Sequence, residues 1–297
     1  MIHKRLGRIA TLLALLLLTG TLQAQSDELR LAAYNAENLF DVFDNPYTED
    51  DSTEVKPRDE IERIAAALRQ LDADVVALSE VENRGVLQAV VNEFLGDMGY
   101  RYVAVNPTND ARGINLGVLS RYPIDSLTSY RFRDLELPGE DQTWRFARDL
   151  LRITLELPQE KKLELFTVHY KSKRDSAGDP DSAKWRLAEA TETAEIVANV
   201  IKLHPERWVA VAGDFNDTPD SPPLEALTDD LLIDAHAELP PAKRITYLRE
   251  PYRSTIDFIL VNRPMRQAMT AAVVPTNERL LAGSDHAPVV ADFRLAP

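Results

Sequence analysis

The 297-residue chain is 44% hydrophobic and 28% charged, contains no cysteine and carries a formal net charge of −14. The composition excludes a disordered or collagen-like chain, and the lack of cysteine excludes disulfides, thiolate metal centres and lipid attachment at a cysteine. The acidic balance excludes long-range electrostatic capture by nucleic acid or an anionic membrane surface, but not contact with phosphates through a few local cations.

The chain opens with a basic stretch, "MIHKRLGR", an apolar run, "IATLLALLLLTG", and "TLQAQS", which offers the small residue Ala24 for cleavage. This three-part plan predicts a secretory signal peptide over residues 1–24. The apolar run is shorter than the ~20 residues a membrane-spanning helix needs. Losing Lys4, Arg5 and Arg8 with it makes the mature chain more acidic still. A cysteine-free exported chain fits a bacterial periplasmic or secreted protein. Residues 25–297 show no repeat, low-complexity tract or composition break, which predicts one domain.

"LRLAAYN" alternates as a strand, and the acidic loop "FDVFDNPYTEDDSTEVKPRDE" follows it. A helix is predicted over "RDEIERIAAALRQL", with acids in its first turn. "DVVALSE" reads as a buried strand and "GVLQAVVNEFLGDMG" as a helix ended by glycine. "YRYVAV" and "NLGVLSRYPI" read as strands, and "RDLLRITLEL" and "KLELFTVHY" as an antiparallel hairpin around "PQEKK". "DSAKWRLAEATETAEIVANVIKLH" is the longest amphipathic helix. "RWVAVAGDFN", "STIDFILVN" and "HAPVVADFRL" complete the strands. About ten strands and at least three helices predict two packed sheets with helices outside.

Polar residues recur at the downstream ends of these strands. Asn35 ends the first, Glu80 the second and His169 the "LFTVHY" strand; Asp214 and Asn216 follow "VAVAG". Asp257 interrupts an apolar run, and Asp285 and His286 open the final strand. Singly, an acid at such a strand end is more often a cap or turn residue than a metal ligand, and a lone histidine can be an ordinary surface residue. Asp257 is the hardest to dismiss, because an acid among apolar neighbours needs a partner. His204 sits beside Pro205 at a helix C-terminus and reads as structural; His236 reads as an uninformative loop residue.

Taken in order, "YNAENLF", "ALSEVEN", "GVLSRYPI", "FARDLLRITL", "FTVHYKSK", "VAGDFND", "STIDFIL" and "SDHAPV" resemble the endonuclease/exonuclease/phosphatase superfamily. The resemblance covers nearly the whole mature chain and is closest to exported bacterial nuclease-type members. It implies a four-layer α/β/β/α sandwich of two mixed, largely antiparallel sheets flanked by helices. It also implies a monomeric, metal-dependent phosphoester hydrolase that is not stably membrane-associated, with nucleic acid as the foremost substrate. A phosphatase, a phospholipid or inositol-phosphate phosphoesterase, and an inactive binding protein are the alternatives.

Carried over residue by residue, Glu80 matches the principal ligand of Mg2+ or Mn2+, with Ca2+ as an alternative ion. Asn35 lies beside metal and phosphate, and Asp285 at the metal or a second cation position. Asp214 matches the residue that orients or deprotonates the attacking water, and Asn216 holds the phosphate. His286 contacts the scissile phosphate with its ring oriented by Asp257; His169 is a second phosphate-facing histidine, and Arg148 a phosphate-facing cation. The family pairs the counterpart of His169 with a glutamate, for which Glu82 is the nearest acid in sequence.

The basic turn "KSKR" beside His169 adds Lys171 as a phosphate contact, and Arg186 is placed to reach the same region. "PPAKRITYLREPYRS" alternates aromatics with arginines, a pattern that suits stacking on a nucleic-acid strand, and leads directly into Asp257. "DNPYTEDDSTE" lacks the glycine and closing glutamate of an EF-hand and reads as a solvated acidic loop.

Overall fold

The structure is a computed structural model that describes residues 27–137, 139–176 and 178–295; the expected signal peptide, residues 1–24, lies outside these. The elements run β1 (Glu28–Leu39), α1 (Arg58–Leu71), β2 (Val75–Val81), α2 (Arg84–Phe94), β3 (Tyr102–Asn106) and β4 (Asn115–Ser120). There follow β5 (Ile124–Ser129), β6 (Leu150–Glu156), β7 (Lys162–His169), α3 (Ala183–Leu203), β8 (Trp208–Asp214) and α4 (Pro222–Thr228). The remainder is β9 (Ile233–Asp234), β10 (Asp257–Val261), α5 (Arg263–Ala268), β11 (Met269–Val273), α6 (Glu278–Leu281) and β12 (Val289–Arg294).

The strands form two six-stranded mixed sheets. One has the order β11-β12-β1-β2-β4-β3, the other β5-β6-β7-β8-β10-β9. Only β1/β2 and β7/β8 pair in parallel; the other pairings are antiparallel. Three apolar layers follow from strand alternation. Between the sheets lie Leu29, Leu31 and Ala33 of β1, Leu163 and Leu165 of β7, Ala210 and Ala212 of β8, and Ile259 and Val261 of β10. The opposite faces pack against helices: Ile64 and Leu68 of α1 and Leu87 of α2 on the first sheet, and Val197 of α3 and Leu224 of α4 on the second. Each fully buried Leu, Ile or Val contributes about 1.5–3 kcal/mol, against about 0–1 kcal/mol for an exposed ion pair. These layers therefore hold the fold, in the expected α/β/β/α order.

Local details differ from the sequence reading. "NLGVLSRYPI" is not one strand: β4 ends at Ser120, Arg121 and Pro123 interrupt the stretch, and the chain crosses to the second sheet, where β5 begins at the stretch's last residue, Ile124. Helix α2 stops at Phe94, before Gly96, so glycine does not end it; its start is capped by the Asn83 side chain, which accepts from Val86 N at 2.9 Å. Asp285 and His286 precede β12 in a loop and do not open the strand. β9 and β11 were not anticipated, the one because it has two residues, the other because most of it is solvent-exposed.

Candidate active site

The same alternation that builds the inner apolar layer positions the polar residues. Asn35 continues the inward face of Leu29, Leu31 and Ala33, and His169 that of Leu163 and Leu165. Asp214 continues Trp208, Ala210 and Ala212; Asp257 precedes Ile259 and Val261. Register then brings them abreast. His169 is opposite Asp214 across β7/β8, and Asp257 is opposite Asp214 across β8/β10. On the facing sheet Asn35 is opposite Ser79, one residue before Glu80. The polar cluster is thus the end of the inter-sheet layer, where apolar packing gives way to a cleft.

Backbone strain shapes this end. Glu37, Asn38, Glu80 and Asn216 have φ of 46°, 54°, 60° and 51°, in the left-handed region. Such residues cost of order 1–3 kcal/mol each and concentrate at functional sites. Gly213, with φ 141°, allows β8 to approach β7 so closely that a Cβ would lie 2.1 Å from the Val168 carbonyl oxygen.

The side chains form one network. Asn35 Nδ2 donates to Asp214 Oδ2 at 3.1 Å and to Glu80 Oε1 at 3.3 Å, joining the two sheets. Glu80 Oε2 accepts from Asn38 N at 3.0 Å. Asn216 N donates to Asp214 Oδ1 at 2.8 Å, and Asn216 Nδ2 to the Tyr170 carbonyl at 3.0 Å. His286 Nδ1 donates to Asp257 Oδ2 at 2.8 Å, and its Nε2 stands 3.9 Å from Asp214 Oδ2. The loop that carries His286 is fixed by Ser284, whose hydroxyl donates to Asn35 O at 2.8 Å and accepts from His286 N at 3.0 Å. Thr246 Oγ1 accepts from Asp257 N at 3.0 Å and Thr246 O accepts from Ala287 N at 2.6 Å, tying together the loops of the two partners.

Charge is divided unevenly. Burial alone lowers the pKa of His286; the charge and hydrogen bond of Asp257, with Asp214 and Asp285, outweigh it and raise the ring to about 10. Burial, reinforced by Arg148 and His286, pushes His169 well below its usual value. One histidine is therefore a cation and the other neutral at pH 7. Burial, then the neighbouring Asp257 charge, raises Asp214 to about 7, with His286 opposing. Burial also raises Asp285, against the pull of His286.

These residues line a cleft of about 910 Å3 whose rim carries Arg112, Arg148, Lys171, Lys173, Arg249 and Arg253. Of the ten residues singled out by sequence, eight line this cleft directly; Asn35 lies beneath it, bonded to Glu80 and Asp214, and Asp257 lies behind His286. Asp285 is also an ion-pair partner of Arg249, at 2.8 Å.

Three readings need correction. Glu82 does not pair with His169: its carboxylate accepts from Asp41 N at 2.6 Å, while His169 Nδ1 is buried without a hydrogen-bond partner. The acids nearest His169 are Asp214 and Glu80, at 3.6 and 3.8 Å from Nε2. Arg186 does not reach the cleft, because it is buried against Asp217 at 2.9 Å. His236 is not a bare loop residue, since its buried ring bonds Val290 O at 3.0 Å. Within "PPAKRITYLREPYRS", Tyr247, Arg249, Tyr252 and Arg253 line the cleft, whereas Arg244 pairs with Asp234.

Sequence reasoning missed Asp110, Arg112 and Glu189. Asp110 Oδ2 lies 3.1 Å from Arg148 Nε. Glu189, wholly buried on α3, accepts from Ala147 N at 2.7 Å and Lys171 N at 2.8 Å, and so fixes both basic segments of the rim. Its place mid-helix among alanines and threonines gives no local signal of that role.

Residues 30–237 match the Endonuclease/Exonuclease/phosphatase family model. No curated protein matches the sequence closely. Among solved structures, the fold resembles the human Nocturnin catalytic domain at 17% identity and TM-score 0.65, over 90% of this chain and 94% of that one. It also resembles an endonuclease/exonuclease/phosphatase from Beutenbergia cavernae at 21% identity and TM-score 0.64, over 90% of this chain and 72% of that one. Truncated TDP2 from Caenorhabditis elegans aligns at 15% identity and TM-score 0.61, over 90% of this chain and 98% of that one.

Proposed function

Because the chain belongs to the endonuclease/exonuclease/phosphatase family, we propose that it is an exported phosphodiesterase, dependent on Mg2+ or Mn2+, that cleaves nucleic acid by attack of water on phosphorus. The observation that carries this reading is the placement of a cationic, Asp257-bonded His286 beside a base-like Asp214 on the floor of a cleft with a basic rim.

The donor set fits a hard divalent ion. Glu80 and Asp285 offer carboxylate oxygens and no thiolate is present; the Asp214, Asp257 and His286 cluster is closed by the His286–Asp257 hydrogen bond and holds a proton, not the ion. Glu80, whose side chain is half-buried where that of Asp214 is fully buried, is the residue expected to hold the metal, with Asn35 and Asp285 beside it. When bound, the ion supplies positive charge to the phosphoryl oxygens and to the leaving oxygen.

The protein's own groups perform the remaining work. Asp214, raised by burial and by Asp257, is poised to take the proton of the attacking water. Asn35 Nδ2 and Asn216 N hold its two oxygens and so aim it. His286 keeps its proton and donates from Nε2 to the phosphoryl oxygen on which charge develops. His169, neutral, offers Nε2 beside it without adding a second positive charge at the floor. Arg148 and Lys171 attract the phosphate, and Asn216 orients it. The rim aromatics Trp185, Tyr247 and Tyr252 suit stacking on bases, which favours nucleic acid over a phosphomonoester.

Residues 1–24 have the plan of a signal peptide, and among the described residues no helix is long and apolar enough to cross a membrane. We take the working protein to be a periplasmic or secreted monomer of one domain spanning 25–297. The test incubates the purified mature protein with Mg2+ or Mn2+ and DNA, RNA, bis-p-nitrophenyl phosphate or p-nitrophenyl phosphate. Acid-soluble nucleotides and diester cleavage are expected. Release of free phosphate from the monoester alone identifies a phosphatase and overturns the diesterase reading, and full activity in EDTA removes the metal from it.

A further inference from the structure

We propose that Asp44, Asp50 and Asp51 form a second divalent-cation site of calcium type, separate from the cleft, in the loop between β1 and α1. Their carboxylate oxygens all lie within 4.8 Å of one another, and none of the three lines the cleft.

A solvated acidic loop would place all three acids in water. Instead Asp50 is 6% exposed. Its Oδ2 accepts from Asn45 N at 2.8 Å, but its Oδ1 is buried with no hydrogen-bond partner. A buried, unpaired carboxylate oxygen is costly, and among the described residues no Lys, Arg or His pairs with Asp44, Asp50 or Asp51. Asp44 and Asp51 remain exposed, so their carboxylates can turn to an ion shared with Asp50. Three like charges this close repel one another, and a divalent cation removes both the repulsion and the orphaned acceptor. Oxygen-only donors on an irregular loop suit Ca2+, which accepts flexible coordination, better than Mg2+, which demands near-ideal octahedral geometry.

The position gives such an ion a task. Glu49 N donates to Ala111 O at 2.7 Å, and the Thr48 side chain packs over Gly113. The loop thus braces the turn that carries Asp110 and Arg112, and Asp110 is the 3.1 Å partner of Arg148 on the cleft wall. An ion at Asp50 fastens this brace.

The test is calorimetric titration of CaCl2 into the full mature chain carrying Glu80→Gln, which weakens the catalytic centre as a competing site. Saturable binding with a dissociation constant of about 10−4 to 10−3 M is expected. Adding Asp50→Asn is expected to weaken it by about tenfold or more, since ligand charge sets the affinity of such sites. Asp51→Asn, at an exposed position that should not disturb folding, is expected to weaken it by a smaller but measurable factor. Absence of Ca2+ binding in the Glu80→Gln chain overturns the proposal, as does unchanged affinity in Asp51→Asn. Equal binding of MgCl2 overturns the calcium assignment.

Discussion

His286 Nδ1 lies 2.8 Å from Asp257 Oδ2, with His286 5% and Asp257 2% exposed. A buried imidazole normally loses its proton, and this carboxylate reverses that, holding the ring at about 10. Asp257→Asn leaves burial less opposed. The rate is expected to fall by about 10²–10⁴, and the alkaline limb of the kcat profile to move to lower pH. A rate profile from pH 5 to 10 checks both; an unmoved alkaline limb refutes the role given to Asp257.

Asp214 and Glu80 are expected to fail in different ways. Asp214→Asn should lower kcat by about 10²–10⁴ with little change in the Mg2+ concentration needed for half-maximal rate. Glu80→Gln should raise that concentration. In the unmodified protein the base must be deprotonated. With Asp214 at about 7 before metal binds, the rate should fall as pH drops through and below that value, and a bound cation shifts the limb lower still. Metal titrations at fixed pH separate the two variants.

Glu189 links the rim to stability. Burial raises its carboxyl from 4.5 to about 7, although Ala147 N, Lys171 N and two arginines favour its charge. Between those values the folded chain holds more protons than the unfolded one, so stability falls as pH rises through the window and levels off above 7. The full swing is roughly 3 kcal/mol. Glu189→Gln cannot ionise and should flatten this slope, while costing about 1–3 kcal/mol at acidic pH because one N–H loses its acceptor. Urea unfolding from pH 4 to 8 measures both.

Gly213 tests the strand spacing behind the site. An alanine there meets Val168 O at 2.1 Å and must adopt φ 141°. Gly213→Ala is expected to destabilise the protein by about 3 kcal/mol or more and to displace Asp214. A melting temperature within 2–3 °C of the parent would contradict the close β7/β8 approach, since about 1 kcal/mol moves Tm by roughly 2–4 °C in chains of this size.

The layers were legible because alternation is local: Leu29, Leu31, Ala33 and Asn35 announce both an inward face and the polar residue that ends it. His169, Asp214 and Asp257 end or begin similar runs, so the strand-borne floor of the site could be read directly. The change of sheet at Arg121–Pro123 could not, because "NLGVLSRYPI" read as one strand and the mostly polar residues of β5 after Ile124 gave no strand signal. Neither could partners set by distant loops. Glu82 is close to Glu80 in sequence, yet the bulged turn at Glu80 sends it to Asp41 and away from His169. Arg186 and Glu189 lie one helical turn apart on α3, but one is absorbed by Asp217 and the other by two backbone amides. Asp50 looked like its exposed neighbours until the burial of its side chain set it apart.

The placement of β12 between β1 and β11 governs how this protein can be made. Arg30 and Asp292, 262 residues apart in sequence, are joined across that sheet at 2.7 Å. While a ribosome is still translating, β1 has only β2 beside it, and the edge that β12 will cover stays open. The first sheet cannot close, nor can His286 reach Asp257, until the segment around residue 294 has emerged. Until then the β1 edge presents unpaired backbone groups, and closing the first sheet waits on long-range loop closure.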